Sequence, residues 1–281
     1  MDGQIRQIIR QKIVDAEASL IPAFTRRDVH VPLVPNKAIA VIGMRRTGKT
    51  TFLWQVLKDH MEAGIPREGI LYFNFDDERL AEVTAADLSI LIEEYYRLHP
   101  EWRDLRRALF LLDEIQVVPG WERFARRVLD TENVDLFLSG SSARMLSREV
   151  ATSMRGRAME AVVFPFSFRE FLRHHGREIE DPERATKAVR SALRKDLETY
   201  LKLGGFPEAQ GASDRDRVEL LRGYVDATLL RDVIERHGIS QPVALRHMTR
   251  HLLANAAGLF SVNRFYNDLK SRGLRISKDS L

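Results

Sequence analysis

An unbroken apolar run, Ala38-Ile39-Ala40-Val41-Ile42, leads directly into Gly43-Met44-Arg45-Arg46-Thr47-Gly48-Lys49-Thr50, and helical periodicity follows to about Ala63. A run that is apolar at every position marks a strand buried on both faces, as in a parallel sheet covered by helices. Gly43 and Gly48 give the loop its G-x-x-x-x-G-K-[ST] spacing. Without a Cβ at these two positions, backbone N–H groups are free to turn inward. Between a strand and a helix, such a loop reads as a phosphate cradle. Lys49 supplies a point charge to the β- and γ-phosphates, Thr50 offers its hydroxyl to magnesium, and the helix N-terminus adds its dipole. Thr47 and Thr51 belong with the loop's expected nucleotide contacts.

A second apolar run, Leu109-Phe110-Leu111-Leu112, ends in Asp113-Glu114. Asp113 is therefore expected at the carboxyl end of a buried strand, the edge of an open α/β sheet where ligands bind. There it is suited to hold Mg2+ through water. Glu114, one position on, is expected to polarise a water towards the γ-phosphate; the competing reading is a surface salt-bridge residue. Ser139-Gly140-Ser141-Ser142 ends the next strand. Ser139 is the candidate for sensing the γ-phosphate or the attacking water, against helix capping by Ser141 or Ser142. Arg155-Gly156-Arg157 precedes the fifth strand. Arg155 and Arg157 are candidates for a clamp on developing phosphate charge, acting across a subunit boundary. The alternative is a solvated basic loop, or pairing with Glu149 or Glu160. Arg45 and Arg46 either touch phosphate or pair with Asp76-Asp77-Glu78.

The remaining strands are expected at 70–75, 135–138 and 161–164, the last ended by Pro165. Helices are expected at 4–21, from Thr84-Ala85-Ala86-Asp87 to Leu98, and at 121–130, 141–150, 168–175, 185–203, 217–237 and 243–257. Strands alternating with helices imply a mostly parallel sheet with right-handed crossovers. Nothing after Pro165 reads as a strand, so the domain change is placed near Ser167. His247 and His251 share a helix face but have no third ligand in view, and Trp54, Trp102 and Trp121 read as packing residues.

The chain of 281 residues has no cysteine, which excludes disulfides and thiolate metal sites. The N-terminus lacks the apolar core of a signal peptide, and no uncharged apolar run approaches the ~18 residues of a membrane span. A cytoplasmic protein with no membrane partner is expected. Net charge is +4, but residues 236–281 hold eight Lys or Arg against two Asp. The positive excess thus sits at the C-terminal end, where weak contact with DNA phosphates is expected.

These segments together resemble a large archaeal and bacterial ATPase family of the AAA+/STAND group. The resemblance rests on Gly43 to Thr50, Tyr72-Phe73-Asn74-Phe75-Asp76-Asp77-Glu78-Arg79-Leu80, Asp113-Glu114-Ile115-Gln116 and Ser139-Gly140-Ser141-Ser142. It also rests on Arg155-Gly156-Arg157, Phe164-Pro165-Phe166-Ser167-Phe168-Arg169-Glu170-Phe171 and Leu203-Gly204-Gly205-Phe206-Pro207-Glu208. It implies an α/β P-loop NTPase core with a parallel five-stranded sheet of order 5-1-4-3-2, then an all-helical lid and a winged helix. The corresponding segments are an N-terminal helix and lead-in at 1–35, the ATPase core at 36–166, the lid at 167–240 and a winged-helix start at 241–281. Gly205 and Pro207 of the lid motif are implied to approach the nucleotide. Members of this family usually continue into a domain resembling restriction endonucleases. This sequence stops where the recognition helix is expected to begin, so the winged helix is expected to be partial.

Two functional classes follow: a Mg-dependent ATPase whose nucleotide state moves the lid, alone or in an assembly of copies, and a nucleotide-gated switch with little hydrolysis. Glu114 favours the first. No Asn-Lys-x-Asp base-reading motif follows the loop, which disfavours a GTPase.

Overall fold

The computed structural model describes residues 2–273 apart from 33, 104, 141–153, 236–238 and 240, with backbone alone for 2, 230–232 and 235. The expected helix at 141–150, with Ser141, Ser142 and Glu149, lies outside the described residues.

Five parallel strands, β1 (Ala38–Ile42), β2 (Ile70–Asn74), β3 (Ala108–Asp113), β4 (Val134–Ser139) and β5 (Ala158–Val162), form one sheet in the order β2-β3-β4-β1-β5. This is the expected order. Side chains alternate across it, as strand geometry requires. Ala38, Ala40, Ile42, Phe110 and Leu112 face one layer, and Ile39, Val41, Leu109 and Leu111 face the other. Helix α2 (Lys49–Glu62) covers the second face with Phe52, Leu53, Val56 and Leu57. The first face carries α1 (Asp2–Ala18), α3 (Leu88–Leu98) and α4 (Trp121–Thr131).

Helix α1 is part of this core. Ile9 and Ile13 are buried, Arg6 pairs with Glu93 and Glu94 of α3, and Glu17 accepts from His99. It ends at Ala18, three residues before the expected Ile21. The residue before Pro22 is sterically biased away from helix, and Ser19 already turns back on Asp15. Asp87 precedes α3 and accepts from the Thr84 N–H and hydroxyl, so the helix opens at Leu88.

β5 is the one strand the sequence misplaces, by three residues. Ala158–Val162 pairs in register with Ala38–Ile42 at the sheet edge. At an edge, Met159 and Glu160 need only partial burial, so no continuous apolar run marks the strand. Val163 is buried for a different reason: its carbonyl packs against Gly43.

The chain divides into two compact units between Ala212 and Ser213. The first continues after the sheet with α5 (Phe168–His174) and α6 (Lys187–Leu203). Ser167 and Glu170 form a capping box at the start of α5, and Thr186 caps α6. The second unit contains α7 (Asp214–Ala227), a π-helical stretch Thr228–Glu235, α8 (Pro242–Ala254) and α9 (Val262–Ser271). Ser213 caps α7, so helix begins ahead of the expected Arg217. Ala244, Phe265 and Leu269 make a small core with Met248. His251 stacks on Phe260 and Phe265, a packing role. Among the described residues no strand follows β5, and no helix is long and apolar enough to cross a membrane.

Candidate functional site

The site lies at the carboxyl ends of β1, β3 and β4, where the sheet order brings Gly43, Asp113 and Ser139 side by side. The loop from Gly43 to Gly48 is shaped by close approach. A Cβ on Gly43 would lie 2.2 Å from the Val163 carbonyl oxygen, so a side chain there would push the loop off the sheet. Gly48 has φ +94° and opens α2. The Thr47 hydroxyl donates to the Met44 carbonyl at 3.0 Å. Lys49 is buried, and its Nζ donates to the Gly43 and Met44 carbonyls at 3.0 and 2.8 Å.

Asp113 is fully buried at the end of β3. One carboxylate oxygen accepts from the Ser139 hydroxyl, the other from the Tyr72 hydroxyl at 3.1 Å. The Thr50 side chain lies near enough to this carboxyl to lower its pKa. Burial pushes the Asp113 carboxyl up, against Ser139 and Thr50; the Glu114 charge adds to the rise and the Tyr72 bond opposes it. A cation beside this carboxylate would relieve its desolvation. Tyr72 is held above the usual tyrosine range by burial and by the Asp113 charge, so it remains a protonated donor. Its ring stacks on Trp54 at 4.4 Å between centroids.

Glu114 follows with φ 54°, and its N–H lies 3.4 Å from the Ser139 hydroxyl. Gln116 donates to its carboxylate. Left-handed backbone is costly for residues other than glycine. Glu114 and Arg46 (φ 66°) are two of the five such residues described, and strain of this kind clusters at functional sites.

Three expectations about the arginines need correction. Arg46 does not pair with Asp76-Asp77-Glu78. Asp77 takes Lys12 and Arg79 instead, and Arg46 lies 3.6 Å from Glu208. That ion pair brings the turn Pro207–Ala209 beside the loop. Arg45 does not pair with the acidic run either; its Nε is buried without a hydrogen-bond partner among the described residues, an orphaned donor inside the loop. Arg157 pairs with Asp130 and not with Glu160; Glu149 lies outside the described residues.

Arg155 and Arg157 stand at the amino end of β5, where the Arg157 carbonyl accepts from Ala38 N. The phosphate loop leaves the opposite end of β1. A five-residue strand separates the two by roughly 16 Å. Within one chain the structure does not bring these arginines to the loop.

Gly205 has a local requirement for glycine. A Cβ there would lie 2.2 Å from the Phe166 carbonyl oxygen, which already accepts from the Tyr200 hydroxyl at 2.8 Å. Thr51 is the third residue of α2 and is half-buried.

The sequence reading missed Arg27, Glu170, Gln55 and Tyr72. Arg27 is buried at 5% exposure. Its Nε donates to Glu170 at 3.0 Å, Nη1 to the Thr47 carbonyl at 2.8 Å, and Nη2 to the Phe164 carbonyl. Gln55 clamps its backbone, accepting from Arg27 N at 2.7 Å and donating to Arg27 O at 3.1 Å. Charged residues in a Pro-punctuated lead-in carry no local signal of burial.

The donor set fits a nucleoside triphosphate with Mg2+. The glycine loop ahead of α2, Lys49 and the orphaned Arg45 Nε suit phosphate oxygens. Thr50 and Asp113 suit a cation that keeps much of its water. In the second unit, Arg246 pairs with Asp226 and Arg272 with Asp268, which absorbs part of the basic excess; Arg236, Arg275 and Lys278 lie outside the described residues.

Residues 35–172 match the family model described as AAA domain, and residues 194–279 match a domain of unknown function (DUF8612). Uncharacterized protein MJ1544 of Methanocaldococcus jannaschii is 33% identical over 256 residues, covering 91% of this chain and 55% of that protein. An uncharacterized protein of Haemophilus influenzae is 31% identical over 242 residues, covering 86% of this chain and 57% of that one. The chain thus spans about half the length of the curated relatives it matches. AMPPCP-bound DnaA from Aquifex aeolicus aligns at TM-score 0.36 and 16% identity, over 89% of this chain and 69% of that one. Together, the sheet order, the glycine loop between β1 and α2 and the AAA match identify an α/β P-loop NTPase fold.

Proposed function

We propose that this chain binds ATP with Mg2+ and hydrolyses it. One observation carries the reading: Thr50, Asp113, Ser139 and Glu114, from three separate segments, converge beside the Lys49 loop. Lys49 and the loop N–H groups hold the phosphates. Thr50 and Asp113 hold the cation, with Ser139 and Tyr72 fixing the carboxylate. Glu114 orients the attacking water, and its strained backbone turns it away from the Asp113 direction. The Arg46–Glu208 contact supports a lid that senses the loop, with Gly205 and Pro207 close to the nucleotide. Arg155 and Arg157 serve a neighbouring copy, which makes the active form an oligomer. Weak DNA contact through the basic C-terminal residues belongs to the same proposal, as do the lid at 167–240 and the winged helix.

Calorimetric titration with ATP, with and without Mg2+, tests the binding step. Wild-type protein is expected to bind more tightly with Mg2+, and Lys49→Ala to lose tight binding. Wild-type affinity in Lys49→Ala would overturn the assignment of the loop.

A further inference from the structure

We propose that Arg27 is a positioning residue for the phosphate cradle: by holding the Thr47 carbonyl outward, it aims the Gly48 N–H inward at the bound nucleotide. This inference rests on the nucleotide reading above and deepens it.

A trans peptide is planar, with its C=O and N–H pointing in opposite directions. The Thr47 carbonyl and the Gly48 N–H belong to one such plane. Arg27 Nη1 donates to that carbonyl at 2.8 Å, in a buried setting. Rotation of the plane would break this bond in a buried setting, where an unmet donor is costly. Among the described residues the Gly48 N–H donates to no backbone carbonyl. The guanidinium packs so closely that a Cβ on Gly48 would lie 3.3 Å from its Nη1.

The rest of the Arg27 environment makes it a rigid anchor. Glu170 Oε1 accepts from Arg27 Nε at 3.0 Å and from Asp28 N at 2.7 Å, while Oε2 accepts from Ser167 N at 2.8 Å. The guanidinium lies 4.9 Å from the Phe166 ring centre. Nη2 holds the Phe164 carbonyl, one residue beyond Val163, whose own carbonyl backs Gly43. One planar fork therefore ties both ends of the loop, the Gly43 side through 163–164 and the Gly48 side through Thr47. Only arginine offers several donors in such a fixed fork.

A buried Arg–Glu pair that served the fold alone would lower stability on mutation and leave the nucleotide affinity of the folded protein unchanged. The test therefore reads affinity and the Gly48 amide itself. Wild-type, Arg27→Lys and Arg27→Met proteins are titrated with MgADP by calorimetry, well below each melting point. Glycine-selective 15N labelling follows the Gly48 amide. We expect the wild-type Gly48 proton to move downfield on adding MgADP. Both variants are expected to bind MgADP about ten- to hundredfold more weakly, the scale of one charge-assisted hydrogen bond, with a smaller Gly48 shift. Lysine keeps the charge opposite Glu170 but cannot span both carbonyls. Folded variants with wild-type affinity would overturn the role of Arg27. So would a wild-type Gly48 amide that stays still while ADP binds, a result that needs no variant to fold. A wild-type protein that binds no ADP would instead overturn the nucleotide reading on which this one depends.

Discussion

The Tyr72 hydroxyl donates to Asp113 Oδ2 at 3.1 Å, from a ring wedged against Trp54, while Ser139 holds the other oxygen of the same carboxylate. Tyr72 therefore sets the rotamer of the proposed cation-binding group from outside its coordination shell. Such partners are typically worth 10- to 100-fold in metal affinity. Tyr72→Phe removes only the hydroxyl and keeps the ring packing. We expect the Mg2+ concentration for half-maximal ATP binding to rise about tenfold, with Mg-free affinity unchanged. A Mg2+ titration monitored by Trp54 fluorescence reads this directly. An unshifted curve would mean that Ser139 and Thr50 orient Asp113 unaided.

Glu170 predicts an acid-dependent stability. Burial raises its pKa, but the Arg27 bond and the Ser167 and Asp28 N–H groups outweigh this, leaving the carboxyl below its usual value near 4.5. A depressed folded-state pKa contributes stability that is fully present above the unfolded value and is lost as pH falls through the folded one. Glu170→Gln is expected to cost roughly 3 kcal/mol at pH 7, the scale of breaking a buried pair. The gap between wild type and variant should stay flat down to about pH 5 and narrow below about pH 4.5. Urea unfolding at pH 7, 5, 4 and 3 checks it; a gap that widens with acid would contradict the assigned sign.

Arg155 and Arg157 can reach a γ-phosphate only on a neighbouring copy, since they stand at the far end of the sheet from their own loop. Specific activity is therefore expected to rise with protein concentration. Mixing Lys49→Ala with Arg155→Ala protein should restore part of the activity, because each supplies what the other lacks. Arg157 also pairs with Asp130, so Asp130→Asn serves as its control. Concentration-independent turnover, with both arginine variants at the wild-type rate, would reduce this loop to a solvated basic face.

Those parts of the molecule whose physics is local could be read in the sequence. β1 and β3 are apolar at consecutive positions because helices cover both faces, and the loop after β1 carries its glycines where the backbone requires them. The end of the buried strand Leu109–Leu112 located Asp113 without any knowledge of its neighbours. β5 slipped because an edge strand tolerates Glu160, while the apolar Val163 owes its burial to the phosphate loop. Arg27 and Glu170 are 143 positions apart, and nothing in the local sequence of either points to the other. Tyr72 looked like one more aromatic of a buried strand; only the β2–β3 register places its hydroxyl on Asp113. Long-range polar pairs of this kind have no period and no spacing rule.

The hydrolysis step is tested most directly by Glu114→Gln. Gln keeps the side-chain shape, including an acceptor for Gln116, and removes the basicity. Phosphate release under saturating MgATP, with ATP affinity measured on the same protein, separates binding from chemistry. ATP binding is expected to be unchanged and turnover slowed by at least ~10²-fold, the scale of losing a positioned general base. A Glu114→Gln protein that releases phosphate at the wild-type rate would contradict this and leave Glu114 a structural residue at a strained turn.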